Sequence, residues 1–439
     1  MTTLIPKFDF KNGGSTPTDA INRNINLKLA ETVDVGDFGG STSIADNSTA
    51  INAALTYLSS VGGGVLNLQA GTYTIADTIK MPDDCALQGA GQFATTIKLA
   101  NNTDKNLIET TSTTTGGLGI GIYDLTFDGN QANNTAGGVF LTGIANERGP
   151  AFQIERIRVT HCRNCVMSSG IKTSFLVSGN TWSVLRDIEI INNDYCQNAF
   201  WVAGADSQID GIYLGTNGRS AAPNYYNCGM YVTGGGHLFS NCYFGGTQNN
   251  SQIFFKDPSA SNNKFINCTV DNSGSSAVWL EGGCLGNTFV GCSLGNSSYS
   301  DGGTYYTIYN TSGVGLGANF IGCTIYSDYA ADYATNAYAE PGYLAGKSKF
   351  IGCIFNGTFT SGVAALGTGS TTTFVGCSGY NVSNLVTTTV ASLPTPSSTN
   401  LGAQSFVTDA NATTFASIVA GGGANKVPVY SDGTNWRIG

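Results

Sequence analysis

Phe239-Ser-Asn-Cys242, Phe265-Ile-Asn-Cys268, Phe289-Val-Gly-Cys292, Phe320-Ile-Gly-Cys323, Phe350-Ile-Gly-Cys353 and Phe374-Val-Gly-Cys377 are six statements of one pattern. Their phenylalanines follow one another after 26, 24, 31, 30 and 24 positions. Self-similarity at a period of roughly 20–50 residues marks a repeat architecture. The first position is large and apolar. The third is Gly or Asn, the residue types that tolerate a positive φ, so the chain is expected to bend sharply there. The fourth, Cys, points inward, and so does the sixth: Phe244, Val270, Leu294, Ile325 and Phe355. Four upstream segments, beginning at Ile122, Ile154, Leu185 and Ile209, carry the same pattern with aliphatic residues. There Leu125, Ile157, Ile188 and Ile212 take the cysteine slot, and Phe127, Val159, Ile190 and Leu214 the sixth position. Ten rungs stacked at about 4.8 Å give a column roughly 45–50 Å long. The expected fold is all-β: a right-handed parallel β-helix, with a short N-terminal capping helix and a small C-terminal β module.

The cysteines occupy a slot that isoleucine fills elsewhere, so they read as small buried hydrophobes. Disulfides between neighbouring rungs are the alternative, since stacked Cα atoms lie within bonding reach. A cytosolic origin argues against them. The N-terminus, Met1-Thr-Thr-Leu-Ile-Pro-Lys7, lacks a basic segment followed by an apolar one, so synthesis in the cytoplasm without export is expected.

A second strand recurs before these bends, in Gly138-Val-Phe-Leu, Ala199-Phe-Trp-Val, Gly229-Met-Tyr-Val, Gln252-Ile-Phe-Phe, Ala277-Val-Trp-Leu and Thr307-Ile-Tyr-Asn. Alternation sends Val139, Phe200, Met230, Ile253, Val278 and Ile308 inward. Phe140, Trp201, Tyr231, Phe254, Trp279 and Tyr309 then form an outward column of aromatics.

Composition agrees with a turn-rich β protein. The 439 residues include 59 glycines, and charged residues make up 11% against 41% hydrophobic ones. That is too apolar for a disordered polar chain. The net charge is −9 and no run of Lys or Arg marks a phosphate-binding face, so nucleic acid is not an expected partner. No apolar run reaches the roughly 18 residues that span a membrane.

Residues 1–31 are polar and aperiodic, and read as an attachment segment. Residues 32–100 hold the first rungs and a helix over Thr49 to Ser59, capped by Asn47 or Ser48 and covering the open end of the core. Residues 101–384 form the main column, 385–399 a Thr/Ser/Pro-rich linker, and 400–439 a C-terminal module.

The opening of the column carries a resemblance. Val35-Gly-Asp-Phe-Gly-Gly40, Thr49-Ala-Ile-Asn-Ala-Ala54, Gly62-Gly-Gly-Val-Leu-Asn-Leu-Gln-Ala-Gly-Thr-Tyr73 and Leu87-Gln-Gly-Ala-Gly91 resemble the N-terminal signature of the pectate-lyase-like β-helix superfamily. Its members include polysaccharide lyases, glycoside hydrolases, epimerases and bacteriophage tailspikes. One departure is Ser41-Thr-Ser-Ile-Ala-Asp-Asn-Ser-Thr49, where the family often has an acidic stretch. Leu4 to Gly14, with Asn24 to Ala30, resembles the virion-attachment segments of tailspikes. Phe406 to Ala410 and Lys426 to Trp436 resemble terminal modules of phage tail proteins. The resemblance implies a homotrimer in the virion, joined through its N-terminal segment to a phage tail or adaptor protein. It also implies binding, and often cleavage, of a bacterial surface polysaccharide. A non-catalytic adhesin and a cellular lyase or epimerase are the other readings.

Aromatic faces stack on sugar rings, so Trp201, Tyr231, Phe254, Trp279 and Tyr309 are candidates for substrate binding; packing between subunits is the competing role. Glycoside hydrolysis needs two carboxylates, about 5–5.5 Å apart for retention or 6.5–9.5 Å for inversion. Asp206, Asp257 and Glu281 lie two to five residues beyond column aromatics and are the candidate acids, against a plain role as solvated turn residues. Asp194 and Asp271 are further candidates, while Asp210 reads as a strand-edge turn residue. No metal or cofactor is expected: Cys162 and Cys165 form a lone pair where a site needs four ligands, and His161 and His237 leave Ser-His-Asp chemistry open, with nothing in the sequence to support it.

Overall fold

The computed structural model describes residues 32–111, 119–143, 152–166, 173–179, 182–217, 228–247, 251–256, 258–297, 305–313, 316–328, 333–341, 346–379, 387–397, 401–402 and 404–439. The proposed attachment segment, 1–31, lies outside them.

The first unit, ending at Cys377, is a right-handed parallel β-helix. Its first inward ladder runs Val33, Leu66, Leu87, Ile122, Ile154, Leu185, Ile209, Phe239, Phe265, Phe289, Phe320, Phe350 and Phe374, every step parallel and in register. It therefore begins three rungs before the ten read from the repeat. The bend follows two residues later. Asp124, Arg156, Asp187, Gly211, Asn241, Asn267, Gly291, Gly322, Gly352 and Gly376 all have φ between 51° and 66°. The sixth position forms a second inward ladder from Phe127 to Phe355, buried throughout.

Between these ladders sit the cysteines. Cys268, Cys292, Cys323, Cys353 and Cys377 each donate a weak S–H bond to the backbone carbonyl of the preceding rung's Phe, at 3.3–3.7 Å. Rungs with Phe at the first position have Cys at the fourth; rungs with Leu or Ile have Ile or Leu. Large pairs with small and medium with medium, which keeps each layer filled. All twelve cysteines are free, and eleven are buried; Cys377, at the end of the stack, is only half-buried, so the expectation that all six repeat thiols are buried holds for five. Thiol titration of denatured, unreduced protein is expected to return twelve, and ten or fewer would reveal a disulfide.

A third ladder carries the second recurring strand: Ile79, Ile108, Val139, Phe175, Phe200, Met230, Ile253, Val278, Ile308, Tyr338 and Ala364. The helix α1, Ser48–Ser60, buries Ala50, Ile51, Ala54, Leu55 and Leu58, an amphipathic spacing that seals the open end of the core. Its N-cap is Asn47, whose side chain makes no cap bond and instead accepts from the Ser41 N–H at 2.9 Å. No helix among the described residues is long and apolar enough to cross a membrane.

A buried polar ladder lies at one corner. The Ser207 N–H donates to His237 Nδ1 at 3.2 Å, the His237 N–H to Asn263 Oδ1 at 3.0 Å, and the Asn263 N–H to Asn287 Oδ1 at 2.9 Å. Burial holds the His237 pKa down at about 4, against about 6.5 for an ordinary histidine. The unfolded chain therefore takes up this proton first as pH falls. Stability is unaffected above about pH 6.5, declines from there to about pH 4, and is lower by about 3 kcal/mol below that. His237→Asn, which matches the next rungs of the ladder, is expected to remove this part of the decline in denaturation curves taken across that window.

The second unit, Ser378–Gly439, is built on the antiparallel strands Gln404–Ala410, Asn425–Ser431 and Trp436–Ile438. Val407, Val427, Val429, Trp436 and Ile438 form its core. The stretch expected to be a linker, 385–399, is in its described part built into this unit. Val390 and Leu393 pack on the core, the Val390 N–H donates to Asp409 Oδ1 at 2.7 Å, and Trp436 Nε1 donates to the Pro394 carbonyl at 2.7 Å. A small sheet needs that extra apolar cover.

Candidate functional site

The outward face of the third ladder carries the aromatic column. Phe140, Leu176, Trp201, Tyr231, Phe254, Trp279 and Tyr309 follow in register. Leu176 stands between Phe140 and Trp201 on the strand Thr173–Gly179, the second strand of the rung that opens at Ile154. Ring centres from Trp201 to Tyr309 are 5.7, 5.7, 5.3 and 5.5 Å apart.

The column is not the open stripe that alternation implied. Tyr231 and Phe254 are 2% and 1% exposed, cluster with Cys228, and are flanked by Trp201 and Trp279. Rings at rung spacing cover one another's faces, and the indole N–H groups are satisfied nearby: Trp201 Nε1 donates to Thr233 Oγ1 at 2.8 Å and Trp279 Nε1 to Thr311 Oγ1 at 2.9 Å. Trp201, Trp279 and Tyr309 are half-buried and keep some accessible surface.

Of the acids, Glu281 ends the strand Val278–Glu281 and its Oε1 accepts from Lys256 Nζ at 3.0 Å, with Lys256 5.8 Å from the Phe254 ring centre. Asp206 is exposed and has φ 56°, in a turn whose next members are Gly236, Asn262 and Gly286, with φ 73°, 60° and 73°. Its N–H donates to the Gly235 carbonyl at 3.0 Å. The strand before Asp206 and that of Glu281 are three rungs apart, about 14 Å. Asp206 and Glu281 are therefore too far apart to act as a hydrolytic pair. Asp257 lies outside the described residues.

The remaining candidates have local roles. Asp210 accepts from Ser240 Oγ at 2.7 Å and Asn241 Nδ2 at 2.9 Å across the bend. Asp271 accepts from the Asn272 N–H at 2.9 Å, and Asp194 from Gln131 Nε2 at 3.4 Å. His161 Nδ1 is 3.6 Å from Asp128 Oδ1, while His237 is inside the core. Among the described residues no group of three or more His, Cys, Asp or Glu could hold a metal ion.

A cleft of about 390 Å³ on the other long sheet went unread in the sequence. Gln92, Phe93, Asp187, Glu189 and Tyr213 line it. Phe93 is 73% exposed, with the Arg158 guanidinium 5.6 Å from its ring centre and Arg158 Nε 3.2 Å from Glu189 Oε2. Tyr213, 48% exposed, stacks on Tyr243 at 5.1 Å and 10°. Tyr213 and Tyr243 occupy the same outward position of successive rungs, which is the signal that could have found them.

Unbroken parallel ladders, a helix-sealed end and positive-φ bends define a right-handed parallel β-helix protein. No protein-family model matches the chain. Mannuronan C5-epimerase AlgE5 of Azotobacter vinelandii is 33% identical over 115 residues, 24% of this chain and 11% of the epimerase. Alginate lyase 7 of the same organism is 33% identical over 140 residues, 28% of this chain and 16% of the lyase. The chain thus spans only a small part of the curated relatives it matches. Among solved structures, the tailspike of E. coli bacteriophage HK620 in complex with pentasaccharide has a TM-score of 0.61 at 13% identity, covering 85% of this chain and 70% of that one. The Dettilon tailspike has a TM-score of 0.58 at 14% identity, covering 81% and 70%. The A-module of Azotobacter vinelandii AlgE4 has 0.52 at 18% identity, covering 78% and 100%. These similarities establish the shared solenoid fold.

Proposed function

We propose that this protein is a phage tailspike that binds a bacterial surface polysaccharide and cleaves its glycosidic bonds. The observation that carries the reading is the outward ladder, where half-buried Trp279 and Tyr309 sit beside the Lys256–Glu281 ion pair on the solenoid fold that phage tailspikes share. Glu281 and Asp257 are the acids proposed for cleavage, and Trp201, Trp279 and Tyr309 the rings proposed to contact the chain. The alginate enzymes, 33% identical over 115 and 140 residues, favour a second reading as a lyase or epimerase. Incubation with a panel of O-antigens, capsular polysaccharides and alginate separates them. New reducing ends without unsaturated uronate are expected. Unsaturated uronate from alginate would favour the second reading, and binding with no new ends would make the protein an adhesin.

We also propose a homotrimer, on a different surface from the aromatic column. The outward neighbours of the first ladder change character along the solenoid. Glu155, Arg186, Asp210 and Ser240 give way to Ile266, Val290, Ile321, Ile351 and Val375, which are in register and 37–57% exposed. Five aliphatic side chains at rung spacing make a stripe about 19 Å long. In a parallel assembly about a three-fold axis, each residue faces its own counterparts at the same height, so the stripe covers itself. Ile321→Lys is expected to convert a trimer into a 45.6 kDa monomer in sedimentation. A wild-type monomer at micromolar concentration would sink the proposal.

A further inference from the structure

The shallow cleft lined by Phe93 and Tyr213 combines two exposed aromatic residues with acidic side chains. The loop that carries Phe93 is held by Ala94 and Thr95 N–H bonds to the Gly91 carbonyl, at 2.9 and 3.1 Å. Gln92 Nε2 reaches the Ile157 carbonyl at 2.9 Å, and Thr126 Oγ1 donates to the Gln92 carbonyl at 2.6 Å. The backbone at Phe93 is thus held while the residue is 73% exposed, an arrangement that folding alone does not reward. A ring on an ordered backbone binds a flat apolar face at a smaller ordering cost than one on a loose loop. Tyr213, stacked on Tyr243 at 5.1 Å and 10°, is a second exposed aromatic residue in the lining.

The lining also carries acceptors. Asp187 stands in the bend and Glu189 on the strand that follows it, so both carboxylates line the cleft, with Glu189 Oε2 held by Arg158. The cation at the cleft, Arg158, is committed to Glu189 and to the Phe93 ring. Arg186, one residue before Asp187, lies 3.8 Å from Glu155. Hydroxyl and amide donors suit this lining; a carboxylated ligand meets like charge. The volume is at the small end of the range of about 300–1,000 Å³ for ligand clefts.

We propose that this cleft is an accessory carbohydrate-binding site that takes a neutral segment of the polymer, hexose or N-acetylhexosamine, between Phe93 and Tyr213. It lies on a different sheet from Glu281, so it anchors the chain and takes no part in bond cleavage. The inference rests on the polysaccharide reading above. The test is an array of bacterial O-antigens, capsular polysaccharides and mannuronate oligomers, probed with wild type, Phe93→Ala, Tyr213→Ala and Phe415→Ala. Phe415, as exposed as Phe93 but in the C-terminal unit, is the control. Wild type is expected to bind polymers of neutral sugars. Phe93→Ala and Tyr213→Ala are each expected to weaken that binding by roughly tenfold or more, and Phe415→Ala to leave it unchanged. Binding to neutral polymers that survives both cleft variants overturns the cleft and leaves the polysaccharide reading standing. Preferential binding to mannuronate or other polyuronates overturns the ligand class. A wild type that binds nothing on the array overturns both.

Discussion

Glu281→Gln is expected to lower the rate of polysaccharide cleavage by roughly 100-fold or more, the scale of a lost acid–base group, while leaving affinity for the polymer almost unchanged. The amide keeps the size of the carboxyl group and can still accept from Lys256, whose Nζ lies 3.0 Å away. What it loses is charge and the capacity to exchange a proton. The position is well supported: Val278, Trp279, Leu280 and Glu281 pair in register with Ile308, Tyr309, Asn310 and Thr311, so the strand holds the side chain on the aromatic face. Asp206→Asn provides the contrast. Asn262 fills the corresponding turn place two rungs on, with φ 60° against 56°, so asparagine suits the backbone and turnover is expected to stay at the wild-type rate. Reducing-end assays on both variants decide the matter. Unchanged turnover in Glu281→Gln rejects it as a catalytic group, and a collapse in Asp206→Asn returns Asp206 to the machinery.

How far the sequence could be read follows from what repeats and what does not. The inward residues repeat because every rung faces the same neighbours, so one period placed Phe239 and Ile154 in the same ladder although their side chains differ. The bend column was legible where Gly or Asn marks it. Asp124, Arg156 and Asp187 adopt the same positive φ without the signal, because the flanking ladders impose the bend. The rung that opens at Ile154 was legible, but its second strand, Thr173–Gly179, passed unseen, although its Phe175 stacks on Phe200 at 5.1 Å. Alternation correctly sent Tyr231 and Phe254 out of the solenoid core, but it could not reveal their cover. Whether an outward ring meets water depends on neighbours that the period does not encode. The same blindness hid the Phe93 cleft, whose two walls are separated by more than a hundred residues and are joined only by stacking of the rungs.

Phe289→Ala is expected to cost about 3–5 kcal/mol, the range for emptying a buried phenylalanine site. Phe289 is fully buried, with the Phe265 ring 4.7 Å below it at 11° and the Phe320 ring 5.0 Å above at 12°. The edge of Phe255 closes a third side at 6.3 Å. Its loss therefore breaks two stacks at once, in the middle of an array where each rung is held only by its neighbours. Phe374→Ala, at the end of the same ladder, loses a stack on Phe350 at 4.8 Å and a tilted contact with Phe355 at 5.9 Å from a half-buried site, and should cost less than half as much. The layer rule makes a sharper demand. Phe pairs with Cys, and Leu pairs with Ile, as in Leu185 and Ile188. Phe289→Leu leaves a gap beside Cys292, and Cys292→Ile alone overfills the layer against Phe289. Combined, the two substitutions rebuild a rung the protein already uses, so their joint cost in urea denaturation should fall clearly below the sum of the separate costs. Simple additivity would show that the Phe and Cys ladders are independent, and that the volume match between them is coincidental.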